Sequence, residues 1–275
     1  EPNKVAQYMS QDAVVNNYVG QDKSAIAKAF GNAATTYDKH AEFQRDVGHR
    51  LLDKLPSDLS GLKVLDLGCG TGYFSEQLVK RGAEVVCADL SVGMLETAEK
   101  RCGASVSLYQ QADAEQLPFE DGCFDIVFSS LALQWCDDLS SPLKEMKRVT
   151  AAGGSVIFST LLYGSLFELE KSWSKIDTHQ HVNHFITINQ VKIALAQSSC
   201  TAHQLDLPTI TVWYDTAFEL MRDLKGIGAN HVSGRSQGLT SRRMLQLVER
   251  EYREFKNHQG FLPATYQVCL GVIQL

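Results

Sequence analysis

The sequence predicts an α/β fold, a mostly parallel sheet covered by helices on both faces. The main sign is a strict alternation of element types between about residues 60 and 160, where short apolar runs are each followed by a helical stretch. Composition agrees: the 275 residues are 44% hydrophobic and 21% charged, enough to bury one large core. No internal repeat, low-complexity tract or separating linker breaks the chain, so residues 23–275 are expected to form a single domain.

Residues 1–22 show no clear period and are expected to be an N-terminal extension, partly disordered. From Ser24, residues Ile26, Ala29, Phe30 and Ala33 fall on one helical face, followed by Tyr37 and Ala41. A helical stretch over 42–55 carries Phe43, Val47, Leu51, Leu52 and Leu55 until Pro56 stops it. Then "KVLDLG" reads as a strand, 72–81 as a helix and "EVVCADL" as a second strand. Residues 91–102 are helical with Ser91 as N-cap. "SVSLYQQAD" and "FDIVFSS" are the third and fourth strands, 139–149 is a helix, and "GSVIFSTL" is the fifth strand.

After residue 160 the rhythm changes. A helix near 165–176 (Leu166, Leu169, Trp173, Ile176) leads into the His-rich "DTHQHVNHF". A helix at 189–197, the strand "LPTITVWY", helices at 215–225 and 240–255, and the strand "ATYQVCLGVIQL" complete the chain. The core is therefore expected over about 60–160 and 200–275, with a helical cap from about 163–198 and 215–258.

Net charge is −6 and the isoelectric point is near 5.8, so no global field draws the protein to nucleic acid or acidic lipid. The cysteines, at 69, 87, 102, 123, 136, 200 and 269, include no C-x-x-C pair. Reduced thiols in a cytoplasmic protein are the expectation. No apolar run approaches the roughly 20 residues of a bilayer span, and the polar N-terminal stretch lacks a signal-peptide core.

The chemistry begins at "VLDLGCGTGYF". A dinucleotide fingerprint needs a third glycine where this sequence has Tyr73; the extra glycine, Gly72, comes one position early after Gly68 and Gly70. No Lys-Ser or Lys-Thr follows, so a triphosphate loop fails too. Asp66 before the turn would repel phosphate but suits a cationic ligand bearing an amino group. Asp89 ends the second strand, where a carboxylate can take both ribose hydroxyls. Asp113, in "QQADAEQLPF", can face an adenine edge together with the next backbone N–H. Three acidic strand ends around a glycine loop suit S-adenosylmethionine, with Leu90, Met94, Ala114 and Ser129 joining the cofactor-binding set. The competing reading is a plain glycine turn with helix-capping aspartates, against which the βαβ spacing of four linked features weighs.

These features resemble the class I S-adenosylmethionine-dependent methyltransferases over roughly residues 60–160. That resemblance implies a Rossmann-like seven-stranded sheet whose last strand runs antiparallel, matching "TYQVCLGVI". The segments "KSAIAKAFGNAATTYDKHAEFQR", "LALQWCDDLSSPLKEMKRV", "TLLYGSLFEL", "HVNHF", "LKGIGANHVSGR" and "LPATYQVCLGVI" extend it: over 23–275 the chain is similar to the malonyl-acyl-carrier-protein O-methyltransferase family of biotin synthesis. Residues 1–20 have no counterpart in that pattern. The resemblance implies methylation of the free carboxylate of a malonyl thioester, carried by acyl carrier protein or CoA, giving the methyl ester that primes pimeloyl synthesis. It also implies that Tyr37 and Gln44, on the N-terminal helices, close over the cofactor.

A malonyl carboxylate is already ionised at neutral pH, since carboxyl pKa values lie near ~4. No general base and no metal are therefore expected, and catalysis reduces to placing the oxygen ~3–3.5 Å from the methyl carbon. The segment after the fourth strand, "SSLALQWCDDL", lacks the Asn/Asp-Pro-Pro-aromatic pattern of base-methylating enzymes. Trp135 in it reads either as an apolar wall near the methyl group or as packing under a helix. His179, His181 and His184 have no cysteine or tight carboxylate pair to complete a metal shell. His181 and Asn183 are expected to order the substrate end of the cap.

Candidate donors to the substrate carboxylate are Lys225, Asn230, His231 and Arg242, each also readable as an ordinary helix-end or surface group. An acidic carrier protein would need local positive charge, for which Lys144, Lys147 and Arg148, with Lys23 and Lys28, are the candidates. Two other functions remain open: a small-molecule or quinone C- or O-methyltransferase, and a non-catalytic S-adenosylmethionine-binding regulator. A nicotinamide oxidoreductase lacks its third fingerprint glycine.

Overall fold

The computed structural model describes residues 42–226 and 241–275, apart from the side chains of Lys225 and Gly226. Helix α1 (Glu42–Leu52) buries Val47, Leu51 and Leu52 on one face and ends before Pro56, as its apolar spacing requires. The βα alternation follows: β1 (Lys63–Leu67), α2 (Tyr73–Lys80), β2 (Glu84–Asp89), α3 (Val92–Cys102), β3 (Leu108–Gln111), β4 (Phe124–Ser130), α4 (Ser140–Val149) and β5 (Thr150–Leu161). The second half holds α5 (Phe167–Ser174), α6 (Ile188–Gln197), β6 (His203–Asp206), β7 (Thr209–Tyr214), α7 (Ala217–Gly226), α8 (Arg242–Tyr252) and β8 (Leu262–Gln274). No helix among the described residues is long and apolar enough to cross a membrane.

The sheet runs β3-β2-β1-β4-β5-β8-β6, with β7 also pairing β8, eight strands among the described residues. Strands β1 to β5 are mutually parallel, and β8 lies antiparallel to β5. The extra strand has a simple origin. His203 pairs with Ile273 and Asp206 with Leu270, while Thr209 pairs with Gln267 and Tyr214 with Leu262. The two segments thus keep one register along β8. Between them Val268 N–H donates to the Pro208 carbonyl at 3.0 Å, but the reciprocal bond cannot form because proline has no N–H. β6 and β7 are one strand of the expected seven, broken at Pro208. The sequence reading began that strand at Leu207 and missed the polar "HQLD" of β6.

Alternation along the strands divides the core in two. Val64, Val85, Cys87 and Ile126 face one cluster; Leu65, Leu67, Val86 and Val127 face the other. Helices α1, α5, α7 and α8 bury their apolar stripes in the first, and α4 and α6 in the second. The segments expected as one cap therefore serve both faces: α5 packs with α8, and α6 packs on α4. Glu168 in α5 is 1% exposed and accepts hydrogen bonds from the N–H and hydroxyl of Thr265, at 3.0 and 2.6 Å, pinning α5 to β8.

Candidate functional site

The glycine loop follows β1 and is held by backbone. Gly68 and Cys69 N–H groups donate to the Ala88 carbonyl at the end of β2, at 2.7 and 3.0 Å. Gly68 has φ +73, and a Cβ there would lie 2.2 Å from Ala132 Cβ, so only glycine lets the loop meet the turn after β4 this closely. Asp89 ties the other side: its carboxylate accepts from Gly70 N–H at 2.9 Å and Ser91 N–H at 2.8 Å. Ser91 in turn caps α3 by accepting from Met94 N–H at 3.2 Å. Burial pushes the Asp89 carboxyl above its ordinary value, and the N–H groups it accepts from work against that rise.

Asp66 sits on the same strand face as Val64, is 2% exposed, and accepts from Ser75 Oγ at 2.6 Å. Burial raises its pKa to about 7; the Ser75 hydrogen bond opposes the rise, and the negative charge of Asp89 adds to it. Asp66 lines a recess with Gln44, Arg45, Gly68 and Tyr73. In it Gln44 Oε1 is buried with no hydrogen-bond partner. Tyr73, in place of a third glycine, anchors α1: its hydroxyl lies 2.7 Å from His49 Nε2, and the Arg45 guanidinium stands 4.5 Å over its ring.

Gly68 and Ser130 line both this recess and a larger cleft, of about 100 Å³ and open to solvent. Gly70, Asp89, Leu90, Met94, Asp113 and Ala114 line one side, and Ser130, Leu131, Ala132, Trp135 and Cys136 the other. No lysine or arginine is among the described residues that line it. Asp113 accepts from Glu115 N–H at 3.0 Å, closing the turn that presents it. Ser129 is fully buried and donates to the Leu67 carbonyl at 2.9 Å, whereas its neighbour Ser130 lines the cleft. Leu131 holds a left-handed φ of 51, secured by its N–H to Ser159 Oγ at 2.9 Å and by Gln134 Nε2 to its carbonyl at 2.7 Å.

Beyond that turn a second cavity of about 450 Å³, open to solvent, lies between the turn, α6 and the end of β5. Gln134, Thr160, His184 and Gln190 line it, and Cys136 lines both cavities. Sequence reasoning missed Arg45, Ser130, Gln134 and Thr160. Parity could have flagged Ser129 and Ser130 as facing opposite sides, but not which side held the cleft.

The remaining candidates are dispersed. His181 Nε2 lies 2.9 Å from both Asp177 oxygens and its ring stacks on Trp173 at 3.7 Å, within the layer of α5. Burial would raise Asp177, but hydrogen bonds from His181 and His179 N–H prevail and hold its carboxyl below the ordinary value. Asn183 is partly buried, and Arg242 opens α8 on the surface. Lys144 is exposed, Lys147 donates to the Ser199 carbonyl at 2.9 Å, and Arg148 is bound by Glu145, Asp121 and the Phe119 and Leu117 carbonyls. Lys225 lies in the last turn of α7 with its side chain outside the described residues, as are Lys23, Lys28, Tyr37, Asn230 and His231. Among the described residues no group of three His, Cys, Asp or Glu is arranged to hold a metal ion.

Residues 65–158 match the family model described as a methyltransferase domain. Over 253 residues the chain is 44% identical to the malonyl-[acyl-carrier protein] O-methyltransferase of Serratia marcescens, covering 92% of this chain and 96% of that one. It is 39% identical over 253 residues, 92% of its length, to the biotin biosynthesis bifunctional protein BioHC of Cellvibrio japonicus, of which it spans 50%. Among solved structures, a Haemonchus contortus phosphoethanolamine N-methyltransferase 2 in complex with S-adenosyl-L-methionine shares the fold: TM-score 0.59, 18% identity, 94% of this chain and 61% of that one.

Proposed function

The chain belongs to the malonyl-[acyl-carrier protein] O-methyltransferase family, and from that premise we propose how its cleft works: a methyl group passes from S-adenosylmethionine to the free carboxylate of a malonyl thioester, in biotin synthesis. The observation that carries the reading is the near end-to-end likeness to the Serratia relative, 44% identical over 96% of its length.

The residues present fit the methyl donor. The loop leaves no room for a Cβ at Gly68, the described lining of the larger cleft carries no lysine or arginine that a phosphate would want, and Gln44 Oε1 is an orphaned acceptor in the recess of Asp66. Asp66 and Gln44 would take an ammonium group. Asp89 would take ribose hydroxyls, Asp113 and the Ala114 N–H an adenine edge, and Leu90 and Met94 the faces of the ring. When bound, S-adenosylmethionine supplies an electrophilic methyl group.

The chain's own part in the step is positioning. The acceptor carboxylate arrives ionised, so no side chain need remove a proton. Leu131, Ala132 and Trp135 form an apolar wall that keeps water from competing with the carboxylate oxygen. The thioester is delivered on an acyl carrier protein or CoA, with Lys144 the exposed member of the α4 cations available to an acidic carrier.

Incubation with S-adenosylmethionine and malonyl-acyl-carrier protein, read by mass spectrometry, should show a gain of one methyl on the malonyl group. Turnover of an aromatic acceptor in preference to malonyl thioesters would replace this reading with a quinone-type methyltransferase. Cofactor binding without S-adenosylhomocysteine from any acceptor would replace it with a regulator.

A further inference from the structure

Two residues lining the second cavity each bury a polar atom for which the protein offers no partner. Thr160, 1% exposed on β5, has its hydroxyl buried with no hydrogen-bond partner. Gln134 Oε1 is likewise buried and unpaired. Its orientation is settled, because Nε2 donates to the Leu131 carbonyl at 2.7 Å and leaves Oε1 as the atom without a partner. Orphaned buried groups cost stability, so a fold that keeps two of them in the wall of one cavity leaves them for a ligand. A hydroxyl that can donate and an acceptor-only oxygen, on separate walls of one cavity, complement a chain of secondary amides, which offers C=O and N–H groups.

We infer that this cavity is the subsite for the amide-bearing arm of the thioester acceptor, the pantetheine chain common to CoA and acyl carrier protein. Thr160 donates to an amide carbonyl of the arm, and Gln134 Oε1 accepts from an amide N–H. Cys136, shared by both cavities, marks where the acyl end passes toward Trp135 and the donor cleft. Of the polar groups on the rim, Asp138 is engaged with the Ser140 N–H and hydroxyl, and Gln190 with Thr187 in the cap of α6. The inference rests on the reading of the acceptor as a pantetheine thioester.

The test uses the full chain and two variants, Thr160→Val and Gln134→Met. Isothermal titration with pantetheine alone, which carries no acyl group, should show binding to the wild type and about tenfold weaker binding to each variant. The KM for malonyl-CoA should rise by a similar factor, and the loss should shrink toward nothing for a malonyl thioester whose arm has no amide. Thr160→Val should melt no lower than the wild type, since it removes an unpaired buried hydroxyl. Equal losses on both acceptors, or undiminished pantetheine binding in both variants, would overturn the subsite. Variant-sensitive pantetheine binding in a protein that methylates no thioester would uphold it and defeat the functional reading alone.

Discussion

The two cavities on either side of the Leu131–Cys136 turn are built by different means. The donor cleft is made of backbone: glycines at positive φ, and strand-end carboxylates held by N–H groups of the loop and the next helix. The second cavity is made of side chains projecting from β5, α6 and the turn, two of them left with an unpaired polar atom. The first presents fixed polar groups to whatever enters, while the second is completed only by what enters. Backbone-built sites fail when a Cβ is added; side-chain-built sites fail when a polar atom is removed.

Gly68→Ala breaks the backbone side and carries the largest expected effect. The added Cβ meets Ala132 at 2.2 Å in a left-handed conformation. Strain and overpacking of about 1–3 kcal/mol each should lower cofactor affinity by about 30-fold or more. Equilibrium dialysis with S-adenosylmethionine measures it; affinity within twofold of wild type would mean the loop is looser than its contacts imply.

Asp66→Asn tests the electrostatic half of the same cleft. The Asp66 carboxyl is held at about 7, above its unfolded value, so the ligand-free protein should lose stability as pH rises from about 4 through 7, and the variant should lack that slope. A cationic ligand prefers the ionised form, so wild-type affinity should improve from pH 6 to 8. The variant should show a flat profile and about tenfold weaker binding at pH 8. Parallel profiles would remove Asp66 from ligand contact.

His181→Ala has the smallest expected effect and lies outside both cavities. Its stack on Trp173 and its bond to Asp177 should make the change one of stability, about 1–2 kcal/mol or a few degrees in Tm. A raised acceptor KM at unchanged Tm would instead give His181 the substrate-ordering role its sequence context suggested.

What was legible in the sequence follows the same division. The order from β1 to β5 and the placing of Asp66, Gly68, Asp89 and Asp113 at strand ends were readable, because apolar runs and glycine turns fix both the backbone and the residues that terminate it. Thr160 and Gln134 carried no signal: one is a lone hydroxyl in an apolar strand, the other an amide in a turn, and only packing shows that they lack partners. The surroundings of His181 were not readable for the related reason that Trp173 and Asp177 meet it through tertiary folding and a loop turn. β6 was missed because an edge strand with one covered side needs few apolar residues, and "HQLD" has one.

The break at Pro208 also bears on the open margin of the sheet. Among the described residues β6 and β7 form the last strand on their side of the sheet, a run that would otherwise expose a long free ladder to solvent. Pro208 splits it into pieces of 4 and 6 residues, and Asp206, paired with Lys54, sets a charge beside the break. Short, charged, proline-interrupted edges are poor templates for a strand from another chain. The residue that disturbs the count of strands thus guards the open margin of the sheet against intermolecular β-pairing and aggregation.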